Sequence, residues 1–281
     1  MDQALFTPHH INATVNDMTG NNGIGRYVLL PGSDGRAKQI ASHFDELAVK
    51  QHPRGHHLYL GTISSSGMKI DVATISSGMG CPSMEIILHE LFYLGGKRFL
   101  RVGTAGSLQS GLVKLGDIVN AQASVRDEQT TSDYMPISVP AVSSFEVASI
   151  ISESAVKLGF TNGFHTGTVH CKSSFYAREF GAGPSGSNNM AFDDLLTRCG
   201  VLATEMETAT LFIQSQLYNY MLMQKGKGPR YRVLAGAILG VISGKGHEFA
   251  APAQETECIT KLITLAFECV KLLALADQKD S

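Results

Sequence analysis

Short apolar runs recur along this 281-residue chain, each followed by a longer stretch of mixed polarity. Such runs suit buried strands and are too short for buried helices, while the stretches between them carry helical spacing. The alternation is that of an α/β domain, not of a sandwich or a bundle. Strands are expected at Tyr27–Leu30, His57–Thr62, Lys69–Ile75, Arg98–Val102, Asp117–Ala121, Gly163–Val169, Ala203–Met206 and Arg232–Ile242. Helices are expected at Arg36–His43, Ser83–Leu94, Ser144–Leu158, Asp193–Cys199, Thr208–Gln224 and Gln254–Ala276. In the last, Ile259, Leu262, Ile263, Ala266, Val270 and Leu273 fall on one face, a stripe that reads as core packing. Gly181–Asn189 is expected as a flexible surface loop, Lys225–Arg230 as a solvated turn and Asp277–Ser281 as a frayed tail.

Charge narrows the partners. A formal net charge of −2 gives no electrostatic basis for a nucleic-acid partner. With 43% apolar residues there is ample material for a large core and for an oligomer interface. The five cysteines are scattered, with no CxxC pair or zinc spacing, so they read as reduced thiols, and no metal is expected. No basic, apolar-cored leader and no run of about 20 apolar residues stands out. The chain is expected to be soluble and cytoplasmic.

Two segments suit anion binding. Arg101-Val-Gly-Thr104-Ala-Gly106 follows the apolar Phe99-Leu100, and Pro31-Gly32-Ser-Asp-Gly-Arg36 follows Tyr27–Leu30. A guanidinium offers a bidentate fork, Thr104 a neutral donor, and glycines let backbone amides approach closely. Each turn alone is ordinary loop chemistry; their pairing is what matters. Glu205-Met206-Glu207 adds two carboxylates at alternate positions around an apolar residue. Two nucleotide motifs fail: Gly240-Val-Ile-Ser-Gly244-Lys245 is too short for a P-loop, and Gly78-Met-Gly80 lacks the third glycine of a dinucleotide fingerprint.

The ordered series Pro31–Arg36, Ser77–Gly80, Phe99–Thr104, Leu115–Asp117, Ala123–Arg126, Pro140–Val142 and Glu205–Glu207 resembles the trimeric or hexameric nucleoside phosphorylases, in their uridine phosphorylase branch. The resemblance runs from about His10 to Glu207. It implies attack of inorganic phosphate on the anomeric carbon of a nucleoside, releasing free base and ribose 1-phosphate, with phosphate as co-substrate and no cofactor. By the same resemblance Gly32, Arg36, Arg101, Thr104 and a neighbour's Arg54 would bind phosphate, with His56 and His57 as competitors for the Arg54 position. His10, Thr104, Met206 and Glu207 would engage ribose, His10 across a subunit interface. Glu205 stands either with them or as a structural group. Arg101 and Glu207 are the residues expected to carry catalysis.

The base pocket departs from the pattern. Phe175-Tyr176 is present and Phe175 suits stacking, but Glu179 and Gly181 stand where that branch places a glutamine and an arginine. Gly244 replaces a further arginine near Val241 and Ile242, and the aspartate of the purine branch is missing there. Arg178 is the available replacement guanidinium. Three readings follow: a uridine or related pyrimidine nucleoside phosphorylase with a rearranged pocket, a purine or broad-specificity phosphorylase, or a silent homologue acting as a partner subunit. Retained buried charge argues against silence. The expected architecture is a single-domain, three-layer α/β/α fold spanning residues 1–281, with residues 1–20 as an arm and a mixed, partly barrel-like central sheet. It is expected to form a homodimer, or a hexamer of dimers, with shared active sites.

Overall fold

A computed structural model describes residues 6–65, 67–228, 231–244 and 248–279. Pro229 and Arg230 of the expected turn, Lys245 and Gly246 of the rejected P-loop, the first five residues of the arm and the last two of the tail lie outside the described residues. Eleven strands run in chain order: β1 (Tyr27–Leu30), β2 (Asp45–Lys50), β3 (Leu58–Ser65), β4 (Met68–Thr74), β5 (Arg98–Ser107), β6 (Ile118–Asp127), β7 (Ala141–Val142), β8 (Phe164–Lys172), β9 (Ala203–Glu205), β10 (Leu234–Gly244) and β11 (Glu248–Phe249). The helices are α1 (Asp34–Ala41), α2 (Cys81–Tyr93), α3 (Phe145–Lys157), α4 (Phe175–Glu179), α5 (Gly186–Arg198), α6 (Thr208–Gln224) and α7 (Pro252–Lys279).

The strands form one mixed sheet ordered β11-β10-β6-β8-β9-β5-β1-β4-β3-β2, with β7 added beside β6. β10 runs antiparallel to β6 and also parallel to β5 from Leu234↔Arg98 onward. That second pairing closes β5, β10, β6, β8 and β9 into a ring, while β1 to β4 extend it as an open wing. Close packing of α3 and α7 on the ring requires small residues on β10. A Cβ on Gly236 would stand 2.4 Å from Val147, and one on Gly240 2.6 Å from Cys258. Helices α2 and α6 pack on one face through Met84, Leu88, Phe92 and Phe212. On the other, α1, α3 and α7 pack through Ile40, Ile151, Leu262 and Val270. Three layers result.

The structure corrects four expectations. β5 does not stop at Val102; it runs to Ser107, so the Arg101–Thr104 segment is strand and not turn. Glycine fits there because a Cβ on Gly103 would lie 2.8 Å from Leu239, its register partner on the neighbouring β10. β2 escapes a periodicity reading because an edge strand needs no apolar face, and Leu47 and Val49 are exposed. Within the expected loop Gly181–Asn189, α5 already begins at Gly186, which packs so tightly on the Gly181 carbonyl that a Cβ would come within 2.1 Å of its oxygen. The tail is not frayed at Asp277: α7 continues through it. Its buried carboxylate accepts from Arg98 Nε at 2.9 Å, Arg98 Nη2 at 2.6 Å and the Tyr27 hydroxyl at 2.8 Å. No helix among the described residues is long and apolar enough to cross a membrane.

α1 starts where it does because Ser33, in extended conformation, caps it by accepting from Arg36 N at 3.3 Å. Ser33→Ala is expected to lower unfolding free energy by about 1 kcal/mol, read as a lower urea midpoint at an unchanged slope.

Candidate active site

β5 carries Arg101 into the interior of the ring, with its Cα opposite Leu30 of β1 and Ala237 of β10. Its side chain is 4% exposed. Nη2 is ion-paired with Glu207, and Nε lies 3.3 Å from Glu205 Oε2. Buried Nη1 has no hydrogen-bond partner among the described residues. Burial works against the charged guanidinium, but the two carboxylates outweigh it and hold its pKa above the ordinary value. Arg101 is thus a fixed cation with a donor left over, the usual arrangement for receiving an oxyanion.

The two carboxylates converge on one guanidinium. β9 ends at Glu205 and the chain turns into α6, so both reach Arg101. Glu205 accepts from Glu207 N at 2.9 Å, Thr208 N at 3.0 Å and Thr208 Oγ1 at 2.6 Å. It caps the first turn of α6 and neutralises Arg101, while Glu207 accepts from Gly80 N at 2.6 Å. Burial pushes the Glu207 pKa up; Arg101 pulls it down and the neighbouring Glu205 raises it again, leaving it above 4.5. If Glu207 must be ionised to accept a hydroxyl, activity rises with pH through that raised value. An acid limb in kcat/KM displaced above the ordinary carboxylate range is expected, and in Glu207→Gln it should vanish along with most of the activity.

The Gly32–Arg36 segment lies beside the same centre. Burial and then the positive charge of Arg101 push the Arg36 pKa down, so the two guanidinium groups feel one another. Ser76 Oγ donates to the Gly32 carbonyl at 3.1 Å and accepts from Gly78 N at 3.1 Å, tying the two glycine turns together. Thr104 is half-buried on β5, its Cα opposite Gly240. His10 sits 2.7 Å from Glu90 through Nδ1, and the amides of residues 9 to 11 also donate to that carboxylate, which anchors the arm to α2. Arg54 is exposed and contacts none of these groups; His56 Nδ1 meets the Ser76 carbonyl at 2.9 Å, and His57 Nδ1 accepts from His52 N at 3.1 Å.

Towards the base end the structure rearranges the expected set. Phe175 is partly exposed on α4, and Met206 links Glu205 to Glu207 with its carbonyl near Cys81 Sγ at 3.2 Å. Arg178 does not swing in. Asp127 holds its guanidinium in an ion pair, Asn189 accepts from Nη1 at 3.0 Å, and the Phe192 ring lies 5.3 Å from its centre. Val241 is fully buried in the core cluster, and Ile242 is half-buried beyond it. Sequence reasoning missed Lys172, the 2%-exposed last residue of β8, which is ion-paired with Glu179. A charge ending an apolar strand immediately before Ser-Ser-Phe-Tyr was the available signal.

An α/β enzyme site results, in which buried charge at strand ends is arranged to hold an oxyanion beside a hydroxyl acceptor. The family model described as Phosphorylase superfamily matches residues 26–224, and the chain belongs to that superfamily. It is 32% identical to a uridine phosphorylase of Treponema pallidum, over 96% of this chain and 95% of the relative. It is 31% identical to a uridine phosphorylase of Thermococcus kodakarensis, over 91% and 85%. A purine nucleoside phosphorylase of the DeoD type from Streptococcus pneumoniae is 33% identical over 68% of this chain and 75% of its own length.

Proposed function

We propose that this chain is a pentosyltransferase that phosphorolyses a nucleoside, uridine or a related pyrimidine nucleoside, to free base and ribose 1-phosphate. The observation that carries the proposal is the buried, unpartnered Nη1 of Arg101, set between Glu205 and Glu207 and within the field of Arg36. Phosphate would enter as co-substrate, held by Arg101, Arg36, Thr104 and the Gly32 amide, with no organic cofactor in the reaction. One phosphate oxygen forms a bond to the anomeric carbon as the bond from that carbon to the base nitrogen breaks. The electron pair of the broken bond leaves with the base, which takes up a proton. Positive charge grows on the sugar in between, and Glu207, hydrogen-bonded to ribose hydroxyls, stabilises it. Holding phosphate in line converts a bimolecular attack into an effectively intramolecular one.

The named relatives support the pyrimidine reading, and the Streptococcus pneumoniae relative supports a purine or broad-specificity alternative. A silent partner subunit is disfavoured, because buried charge without a ligand is destabilising. The enzyme would act in the cytoplasm as a homodimer or a hexamer of dimers, with His10 and exposed Arg54 completing a neighbour's site. The test is release of free base from uridine, thymidine, inosine and adenosine with and without phosphate. Phosphate-dependent release is expected; equal turnover without phosphate would make the chain a hydrolase.

A further inference from the structure

Helices α4 and α5 are held to the sheet by little apolar surface. Of their residues only Gly186 and Leu196 are buried, and Leu196 belongs to a small cluster with Leu108 and Val201. The two helices are tied to each other, because Asn189 Nδ2 donates to the Ala177 carbonyl at 2.9 Å and its Oδ1 accepts from Arg178 Nη1 at 3.0 Å. The far end of α5 is fixed: Thr197 Oγ1 donates to the Leu108 carbonyl at 3.2 Å, and Gln109 Nε2 donates to the Thr197 carbonyl at 2.6 Å. The near end is held by charge. It also covers the end of β5, where a Cβ on Gly106, two residues beyond Thr104, would stand 3.5 Å from Glu179 Oε1.

The charges that hold it balance only if His170 is protonated. Asp127 on β6 is ion-paired with Arg178 on α4, and Lys172 on β8 with Glu179 on α4. Asp193 on α5 is left over, its buried Oδ1 without a hydrogen-bond partner among the described residues. Facing it is His170, fully buried on β8, whose Nδ1 lies 3.8 Å from that oxygen. The other ring nitrogen, Nε2, is 2.9 Å from Asp127 Oδ2. A carboxylate paired with a guanidinium only accepts, so Nε2 carries a proton. Nδ1 then takes either the proton of the Thr204 hydroxyl, whose oxygen is 3.2 Å away, or a proton of its own. Thr204 Oγ1 also accepts from Lys172 Nζ at 3.0 Å, and the Phe192 ring lies 5.9 Å from the imidazole. The neighbouring charges are committed elsewhere: Glu205 of β9 to Arg101, Arg126 and Glu128 of β6 to Thr131. Asp194 and Arg198 of α5 are exposed. With Nδ1 bare, the carboxylates of Asp127, Asp193 and Glu179 outnumber the cations Lys172 and Arg178; with Nδ1 protonated, the cluster is neutral. Burial pushes the Asp193 pKa up, as for a carboxylate short of a counterion.

We infer that His170 and Asp193 share one proton as a latch, which keeps α4 and α5 closed over the end of β5 and releases them when the proton is lost. The inference goes beyond phosphorolysis and does not depend on it. In the closed state the proton sits on the buried His170–Asp193 pair. On opening, α5 swings about its fixed end at Thr197, Asp193 reaches water and the proton passes to solvent. The closed state binds a proton that the open state does not. Closure is therefore favoured at low pH and weakens as pH rises through the titration of the closed pair, by at most about tenfold per pH unit for one proton. α4 carries Phe175 with it, so opening uncovers the strand beyond Thr104.

The test is amide hydrogen exchange of the full-length protein, read by mass spectrometry without phosphate or nucleoside. Rates at about pH 6 and about pH 8 are corrected for intrinsic exchange, so that they report opening. Wild-type peptides from α5 should lose about tenfold or more of their protection between the two, while α7 peptides stay within about threefold. Asp193→Asn has no proton to share, and its α5 protection should be the same at both pH values. His170→Gln keeps a donor for Asp127 but cannot be protonated, so it should open at about pH 6 as readily as the wild type does at about pH 8. Wild-type α5 protection that changes by less than about threefold overturns the latch, as does an Asp193→Asn variant that keeps the wild-type pH dependence. Loss of α7 protection in step with α5 overturns it too, because the opening is then global. If neither variant folds, the wild-type contrast between α5 and α7 decides the question alone. No substrate enters the measurement, so phosphorolysis stands or falls separately.

Discussion

Replacing Arg101 by methionine is expected to lower kcat/KM for phosphorolysis by about a thousandfold, equivalent to about 4 kcal/mol of transition-state stabilisation. Methionine keeps much of the length and packing of the side chain and removes the fork. What is lost is the donor that faces the oxyanion, Nη1, together with the charge that keeps Glu207 from being protonated. A second signature should accompany the rate. Without Arg101, Glu205 and Glu207 become two buried carboxylates with no cation between them, and the Glu207 pKa, already raised by burial, moves further up. Groups with raised folded pKa values favour the folded state at low pH and withdraw that favour as pH rises through those values. Arg101→Met should therefore be least impaired in stability near pH 5 and lose about 3–5 kcal/mol by pH 8, as expected when one partner of a buried pair is removed. Urea denaturation at the two pH values and steady-state kinetics at one check both halves. Activity within tenfold of wild type would remove Arg101 from the site.

What is legible in the sequence is what local pattern controls. α7 is nearly readable because its apolar spacing is long and regular, and α6 is readable to the residue although it carries no single apolar face. β1 is readable because four consecutive buried residues leave no alternative. The hidden parts depend on partners distant in sequence. β5 continues through Arg101–Ser107 only because β10 lies against it and needs glycines there, a fact invisible in a window of ten residues. The expected strand runs one residue past the end of β9 at Glu205, and only the turn into α6 after Glu207 shows that both carboxylates meet one guanidinium. Arg178 has the right residue type for a vacant role in the base pocket, yet Asp127 and Phe192 outcompete the pocket for it. Lys172 escapes notice for the converse reason, since in sequence its partner Glu179 stands out only as a missing glutamine.

Glu205 and Glu207 share one arginine but should fail differently when removed. Glu205→Ala takes away the acceptor for two backbone amides and the Thr208 hydroxyl at the start of α6. It also takes one of the two charges opposing Arg101. A buried cation short of one counterion and an uncapped helix together are expected to lower stability by about 3–5 kcal/mol. Glu207→Ala leaves that cap in place and frees only the Gly80 amide and Arg101 Nη2. Its stability loss should be smaller by about 2 kcal/mol, whereas kcat should fall at least about 100-fold, because the charge facing the developing cation is gone. Saturating phosphate and nucleoside should not restore that rate, since an interaction made mainly in the transition state is missing. Urea midpoints and kcat measured on both variants separate the roles. The reverse ranking, with Glu205→Ala stable but inactive and Glu207→Ala unfolded but catalytically competent when refolded, would transfer the sugar to Glu205 and the scaffold to Glu207.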